Sequence, residues 1–282
     1  MVLFLLGKIL FCRKFQKDYN MKKFNFILII VLSMTLFGTS CKKPFTLFSL
    51  EEEMQMGAQF DAEIMSNPDF VILSESTYSE AYDIINQFKT KLLATGKVDY
   101  ADKFNWKVRI IDEDIVNAFA VPGGYLYFYT GLIKTLDNEA EFAGVMAHEM
   151  AHVARRHTSR QLTEAYGIDL LLSMLVGNNN NQWVKIAAEL AGGLTQLQFS
   201  RSDEHEADKY AVIYTYPTAW DARGVANFFE KMDSHTPTPV FLSTHPSDKS
   251  RIERVNKEWK ALGEKQGEYF ENSYKQFINL LP

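Results

Sequence analysis

Apolar and polar positions alternate with helical spacing over most of this chain. Ser49-Leu50-Glu51-Glu52 has the form of a capping box, and a helix runs from it to about Met65. Residues 76–95 repeat the pattern as a second amphipathic helix, stopped near Gly96. The period then changes to that of strands, around 105–112 and 117–129. Pro122-Gly123-Gly124 is turn chemistry, so Phe119–Val121 and Tyr125–Tyr129 read as the arms of a hairpin. Residues 138–160 read as one helix without proline and with a single glycine, Asn138 and Glu141 being spaced as an N-cap and its N3 partner. Ala143, Val145, Met146, Met150, Ala151 and Val153 make that helix largely buried. The run Ile168–Val176 is markedly apolar, which suits core packing, with a membrane-facing or partner-facing patch as the alternative. Gly177 and Asn178–Asn181 form a loop before a helix from about Gln182, and helices over 199–214, 221–232 and 247–261 complete the chain. No internal repeat is present. The predicted architecture is α+β, mostly helical, with a small sheet flanked by helices.

The amino terminus has a different character. Met21-Lys22-Lys23 precedes an apolar run, Phe24–Phe37, that is too short for a comfortable membrane span. It ends in Gly38-Thr39-Ser40-Cys41, which resembles a bacterial lipoprotein cleavage site, although Gly38 stands where leucine is usual. The expected organisation is a targeting segment over 1–40, its signal starting at Met21, then a linker over 41–48 after a lipidated Cys41, then one domain over 49–282. Residues 1–20 fit neither a signal nor a domain and are consistent with an upstream start codon. An uncleaved anchor is the alternative and leaves the same topology. Cleavage removes Cys12 and leaves no cysteine free for a disulfide, so the fold must rest on its core. Residues 1–40 hold six Lys or Arg and one Asp, leaving 24 basic and 34 acidic residues from 41 onward. That acidic balance argues against nucleic acid as partner and against binding anionic lipid by charge alone.

Candidate chemistry sits in two segments. In His148-Glu149-Met150-Ala151-His152 the two histidines lie about 40° apart on a helix turning roughly 100° per residue. They can grip one ion, while Glu149 can reach a water beside it without ligating. A catalytic zinc site needs a third protein ligand and an open position. The metzincin positions for a further Gly and His hold Arg155 and Thr158, which excludes that class. His157, about 180° round a continuous helix from His148, is expected to pack or cap on the far side rather than ligate. The third ligand then comes from Glu204-His205-Glu206-Ala207-Asp208, where Glu204 and Asp208 share a helix face and Glu206 points away. Glu204 completes a gluzincin set, and Asp208 accepts the spare ring N–H of a ligand histidine. His205 lies off that face.

With these residues in view, the chain resembles the HtpX-like and CAAX-prenyl-endopeptidase-like family of zinc metallopeptidases. Four segments carry the resemblance across roughly residues 49–261: Asn117–Gly124 leading to Thr130-Gly131-Leu132; Ala147–Ala154 with Arg156-His157; Ser200-Arg201 through Asp208; and Ser243-Thr244-His245-Pro246 with Arg251-Ile252. Ala211 departs from the glycine common in relatives, which concerns packing rather than chemistry. The resemblance implies a zincin-like domain holding one Zn²⁺ on His148, His152 and Glu204, with Glu149 as general base. It makes Asn117, Ala118, Phe119, Ala120 and Val121 part of an edge along which an extended polypeptide lies. It also gives His245 and Arg251 a role near the scissile carbonyl, donating to the oxyanion or the substrate backbone; His245 could also reach the metal in a resting state. His235, between Ser234 and Thr236, has no comparable argument. The implied activity is a zinc endopeptidase clearing envelope proteins in the bacterial periplasm, lipid-anchored, with the outer membrane favoured and envelope assembly proteins as possible partners. A metal-stabilised chaperone or assembly factor with little proteolysis is the alternative.

Overall fold

The structure is a computed structural model that describes residues 46–177, 180–192, 198–234, 237–246 and 249–282. The targeting segment, Cys41 and His235 lie outside the described residues. Residues 46–282 form a single unit. Helix α1, Leu50–Ser66, opens on the expected capping box: Ser49 accepts from the Glu52 N–H and Glu52 accepts from the Ser49 N–H. Met56, Phe60 and Ile64 recur every four residues and are fully buried, which lays one stripe of α1 on the core. Helix α2, Ser79–Leu93, does the same with Ile85, Phe88 and Leu92.

Strand β1, Lys107–Ile111, then β2, Ala118–Val121, and β3, Tyr125–Tyr129, form a sheet in the order β1-β3-β2. The hairpin β2–β3 is antiparallel, with Ala118 opposite Phe128 and Val121 opposite Tyr125, while β1 runs parallel to β3. Gly123 and Gly124 take positive φ in the turn, and a Cβ on Gly124 would lie 2.7 Å from the Trp106 backbone nitrogen. Alternation along the strands divides the sheet between two cores. Leu126 and Phe128 join Val108 and Ile110 in one. Tyr125, Tyr127 and Tyr129 face the other, with α1.

Short helix α3, Thr130–Thr135, leads to α4, Glu139–Ala154, capped by Asn138 accepting from Glu141 N–H at 2.9 Å. Every residue of α4 from Ala140 to Ala154 is buried. Here the structure departs from the single helix expected over 138–160. Arg156 sits in the left-handed region at φ 61°, and a separate helix, α5, covers His157–Tyr166. The break follows from two charged side chains that a buried helix cannot carry inward. Arg155 turns out to Asp99 and Glu206, and Arg156 to Glu53 and the Phe48 carbonyl.

Helices α6, Ile168–Val176, and α7, Asn180–Ala191, pack on α1. Only Leu171 and Met174 of the apolar run are buried and Val176 is 91% exposed, so core packing accounts for one stripe of α6 and not the whole. Helix α8, Arg201–Thr215, is capped by Ser200 and lies against α4. Helices α9, Gly224–Ser234, α10, Phe241–Thr244, α11, Lys249–Ala261, and α12, Glu271–Ile278, complete the layer behind it. A Cβ on Gly144 of α4 would lie 2.5 Å from the Val225 nitrogen, so α9 seats the buried helix at backbone contact. Ala211 is fully buried in α8, within the same core. Among the described residues, no helix is long and apolar enough to cross a membrane.

Candidate metal centre

Helices α4 and α8 bring two imidazoles and a carboxylate to one point. His148 Nε2 and His152 Nε2 are 3.0 Å apart, Glu204 Oε1 is 3.4 Å from His152 Nε2, and Glu204 Oε2 is 3.5 Å from His148 Nε2. A fourth donor joins them: His245 Nδ1 lies 3.3 Å from His148 Nε2 and 3.0 Å from Glu204 Oε1. One donor atom from each of these four side chains falls within 4.8 Å of the others, and all four residues are buried. Donors bonded at about 2.0–2.1 Å to a tetrahedral zinc are separated by roughly 3.4 Å, which these spacings match.

The hydrogen-bond chemistry leads to the same conclusion. Asp208 Oδ1 lies 3.0 Å from His148 Nδ1, close enough to favour the tautomer with its proton on Nδ1, in which Nε2 presents a lone pair. His152 Nε2 faces it across 3.0 Å, in a site where His148 and His152 are fully buried. Unprotonated nitrogens crowded with a carboxylate repel unless a cation lies between them. The residues present therefore fit a divalent metal of the zinc type.

Glu149 stands beside this cluster, 1% exposed, with Oε1 3.5 Å from His245 Nε2. Burial raises its carboxyl above the ordinary range, against the pull of His245 and His148. For Glu204 burial also acts upward, but Arg251, His245 and His152 together outweigh it and hold the carboxylate ionised. Asp208 is held down in the same way, chiefly by Arg251.

Arg251, expected near a scissile carbonyl, lies against the donor set. Its Nε and Nη2 each donate to Asp208 at 2.7 Å, Nη1 lies 2.7 Å from Glu204 Oε2 and donates to the Pro246 carbonyl, and the guanidinium stacks on Phe229. Fully buried, it grips the carboxylates that set the donors. His245 is held by ring stacking on Phe241, with centroids 4.2 Å apart.

The expected substrate strand is the sheet's edge. Asn117 is 1% exposed and its Nδ2 donates to the Ala191 carbonyl at the end of α7. Ala118 to Val121 are all buried, and Phe119 and Ala120 border a cavity of about 20 Å³ with Leu190, Phe199, Thr244 and His245. That is room for roughly one water. Phe199 also stacks on His152, and its N–H donates to the Thr244 carbonyl, closing the cleft over the strand.

Two residues set aside at the sequence level belong to this neighbourhood. Because the helix ends at Ala154, His157 does not lie on the far side: its Nδ1 is 3.2 Å from His152 Nδ1, and its Nε2 is 3.0 Å from Glu206 Oε2. Glu206, expected to point away, is held there by Arg155. The consecutive arginines after a run of small apolar residues were the available signal that the helix must break. His205 contacts Ser250 rather than the cluster.

Comparison with known proteins places this site in context. The description of Peptidase family M48 matches residues 85–259. The chain is 30% identical over 160 residues to the mitochondrial metalloendopeptidase OMA1 of Arabidopsis thaliana, covering 56% of this chain and 32% of that protein. It is 33% identical over 152 residues to a putative beta-barrel assembly-enhancing protease of Vibrio cholerae, covering 49% and 31%. To the OMA1 of Schizosaccharomyces pombe it is 25% identical over 228 residues, covering 78% and 64%. The matches thus span about one third to two thirds of these relatives' own lengths.

Proposed function

The chain belongs to peptidase family M48, and from that premise we propose that it is a zinc-dependent endopeptidase acting on extended polypeptides. The observation that carries this reading is the convergence of His148, His152 and Glu204 beside a buried Glu149. Zinc held there would supply Lewis acidity, bringing the pKa of a water toward about 7 and polarising the substrate carbonyl. His148, His152 and Glu204 would hold it. Glu149, with its carboxyl raised by burial, takes the proton from the attacking water and returns it to the leaving amine. Asp208 and Arg251 keep His148 and Glu204 in place while charge shifts. Strand β2 receives the substrate backbone as an added strand.

The finer reading is a lipoprotein of the bacterial envelope, tethered through Cys41, with the outer membrane favoured, and degrading misassembled proteins. Its support is the Gly38–Cys41 sequence and the similarity to proteases named for β-barrel assembly. The metal-stabilised chaperone reading keeps one specific observation in its favour, the closed four-donor set that includes His245. His245 leaving that set would leave three donors and an open position. Casein digestion decides between them. Glu149→Gln is expected to retain zinc and to lose at least about 100-fold in kcat, general base catalysis contributing roughly 10²–10⁴. Undiminished digestion by this variant would sink the mechanism. Absence of cleavage by both wild type and His245→Ala would favour the chaperone.

A further inference from the structure

His152 has an outer partner of a different kind from that of His148. Where His148 Nδ1 meets a carboxylate directly, His152 Nδ1 meets a second histidine, which in turn meets a carboxylate fixed by an arginine. We infer that His157, Glu206 and Arg155 form a positioning relay that fixes the tautomer and ring plane of His152 for metal binding. This rests on the metallopeptidase reading above and adds to it three residues outside the donor set.

The argument is one of proton counting. His152 can ligate through Nε2 only if that nitrogen bears a lone pair, so the single ring proton of the neutral imidazole must be on Nδ1. Among the described residues, the acceptor within reach of that proton is His157 Nδ1, 3.2 Å away, which must then be bare. His157 accordingly carries its own proton on Nε2, which points at Glu206 Oε2 across 3.0 Å. Glu206 is an acceptor only, and its other oxygen takes the Arg155 Nε–H at 2.9 Å. Each donor meets one acceptor, and no other assignment of neutral histidines puts a lone pair toward the metal and satisfies the chain. Reversing His157 would set two N–H groups against each other at 3.2 Å. His157 is fully buried, so water cannot substitute for either contact.

The helix break gives the relay its geometry. The positive φ of Arg156 turns the chain so that the first residue of α5 folds back onto the last turn of α4. A continuous helix would have carried His157 away from His152. The left-handed backbone at Arg156 is held by its ion pair with the buried Glu53.

The test is metal affinity, measured on the full chain by competition with a chromophoric chelator for Zn²⁺, together with the visible spectrum of the Co²⁺ form and the melting temperature of the metal-free protein. His157→Leu fills the space without an acceptor and is expected to weaken Zn²⁺ binding about 10–100-fold and to alter the Co²⁺ spectrum. His157→Asn places a carbonyl oxygen where Nδ1 stood and is expected to restore most of the affinity and the wild-type spectrum. Unchanged affinity in His157→Leu overturns the relay, as does equal weakening in both variants that follows their metal-free melting temperatures. If His157→Leu does not fold, Glu206→Met, which removes the acceptor for His157 Nε2–H, replaces it, with weaker binding supporting the relay and wild-type affinity overturning it. A wild-type protein that binds no Zn²⁺ would instead overturn the metallopeptidase reading on which the relay rests.

Discussion

Arg251 shows how a buried charge is made tolerable. Its guanidinium meets Asp208 in a two-point grip and Glu204 with the remaining nitrogen, and it is fully buried. Removing it would take the guanidinium away from two buried carboxylates, Glu204 and Asp208, in the metal-free protein. Arg251→Met is therefore expected to cost roughly 3–5 kcal/mol, the usual consequence of breaking a buried pair from one side. Urea denaturation of the metal-free variant against wild type checks this, and a loss below about 1 kcal/mol would show that solvent reaches the cluster. The spacing of HEMAH and of Glu204 with Asp208 was legible because both pairs lie within single helices, whose geometry is fixed. Arg251 was not legible in the same way. Its position depends on how α11 packs against α8, and no local pattern encodes that.

At the scale of elements, α1 is fastened to the sheet by charge as well as by its apolar stripe. Asp61 accepts from Arg109 Nε at 3.0 Å and Nη2 at 2.9 Å, and from the Tyr127 hydroxyl at 2.9 Å, joining α1 to β1 and β3. Burial acts to raise the Asp61 carboxyl, yet Arg109 and Tyr127 outweigh it and hold it below its ordinary value. A carboxyl lowered on folding stabilises the native state above its unfolded pKa, near 3.9, and that stabilisation is lost as pH falls through the folded value. Asp61→Asn is thus expected to cost roughly 2–3 kcal/mol at neutral pH, and the gap to wild type should narrow in acid. Urea midpoints taken at pH 7 and at about pH 3 measure it; a constant gap would assign the loss to packing. The capping box of α1, the Asn138 cap of α4, the hairpin and the strand–helix order were readable from the chain because each is set by neighbours in sequence. The end of α4 was signalled only by the consecutive Arg155 and Arg156, since helical periodicity continues through them and their partners Glu53, Asp99 and Glu206 lie elsewhere in the chain.

For the molecule as a whole, the sheet is the wall between two cores, and its β2 edge is the one that borders the donor set. The register decides which groups face that edge. Tyr129 N–H donates to the Asn117 carbonyl, so Asn117–Tyr129 is a hydrogen-bonded pair, and in an antiparallel ladder such pairs alternate with open ones. Phe119 opposite Tyr127 and Val121 opposite Tyr125 are then bonded to β3, whereas Ala118 and Ala120 turn their N–H and C=O groups outward. In the present state that edge is covered by Phe199 and the segment ending in His245, which leaves little more than the space of one water. A substrate strand must displace this cover to pair with Ala118 and Ala120. Proline separates the two kinds of position, because the N–H it removes at Ala120 lies outside the ladder and the one it removes at Phe119 lies within it. Ala120→Pro should leave the β2–β3 ladder intact and the metal site filled, yet reduce kcat/KM for peptides by about 10-fold or more through the loss of one or two backbone contacts. Phe119→Pro should instead cut a ladder bond and lower the melting temperature markedly. If Ala120→Pro cleaves peptides as well as wild type while Phe119→Pro destabilises the fold, the substrate does not pair with this edge. The catalytic cleft must then be entered from another side.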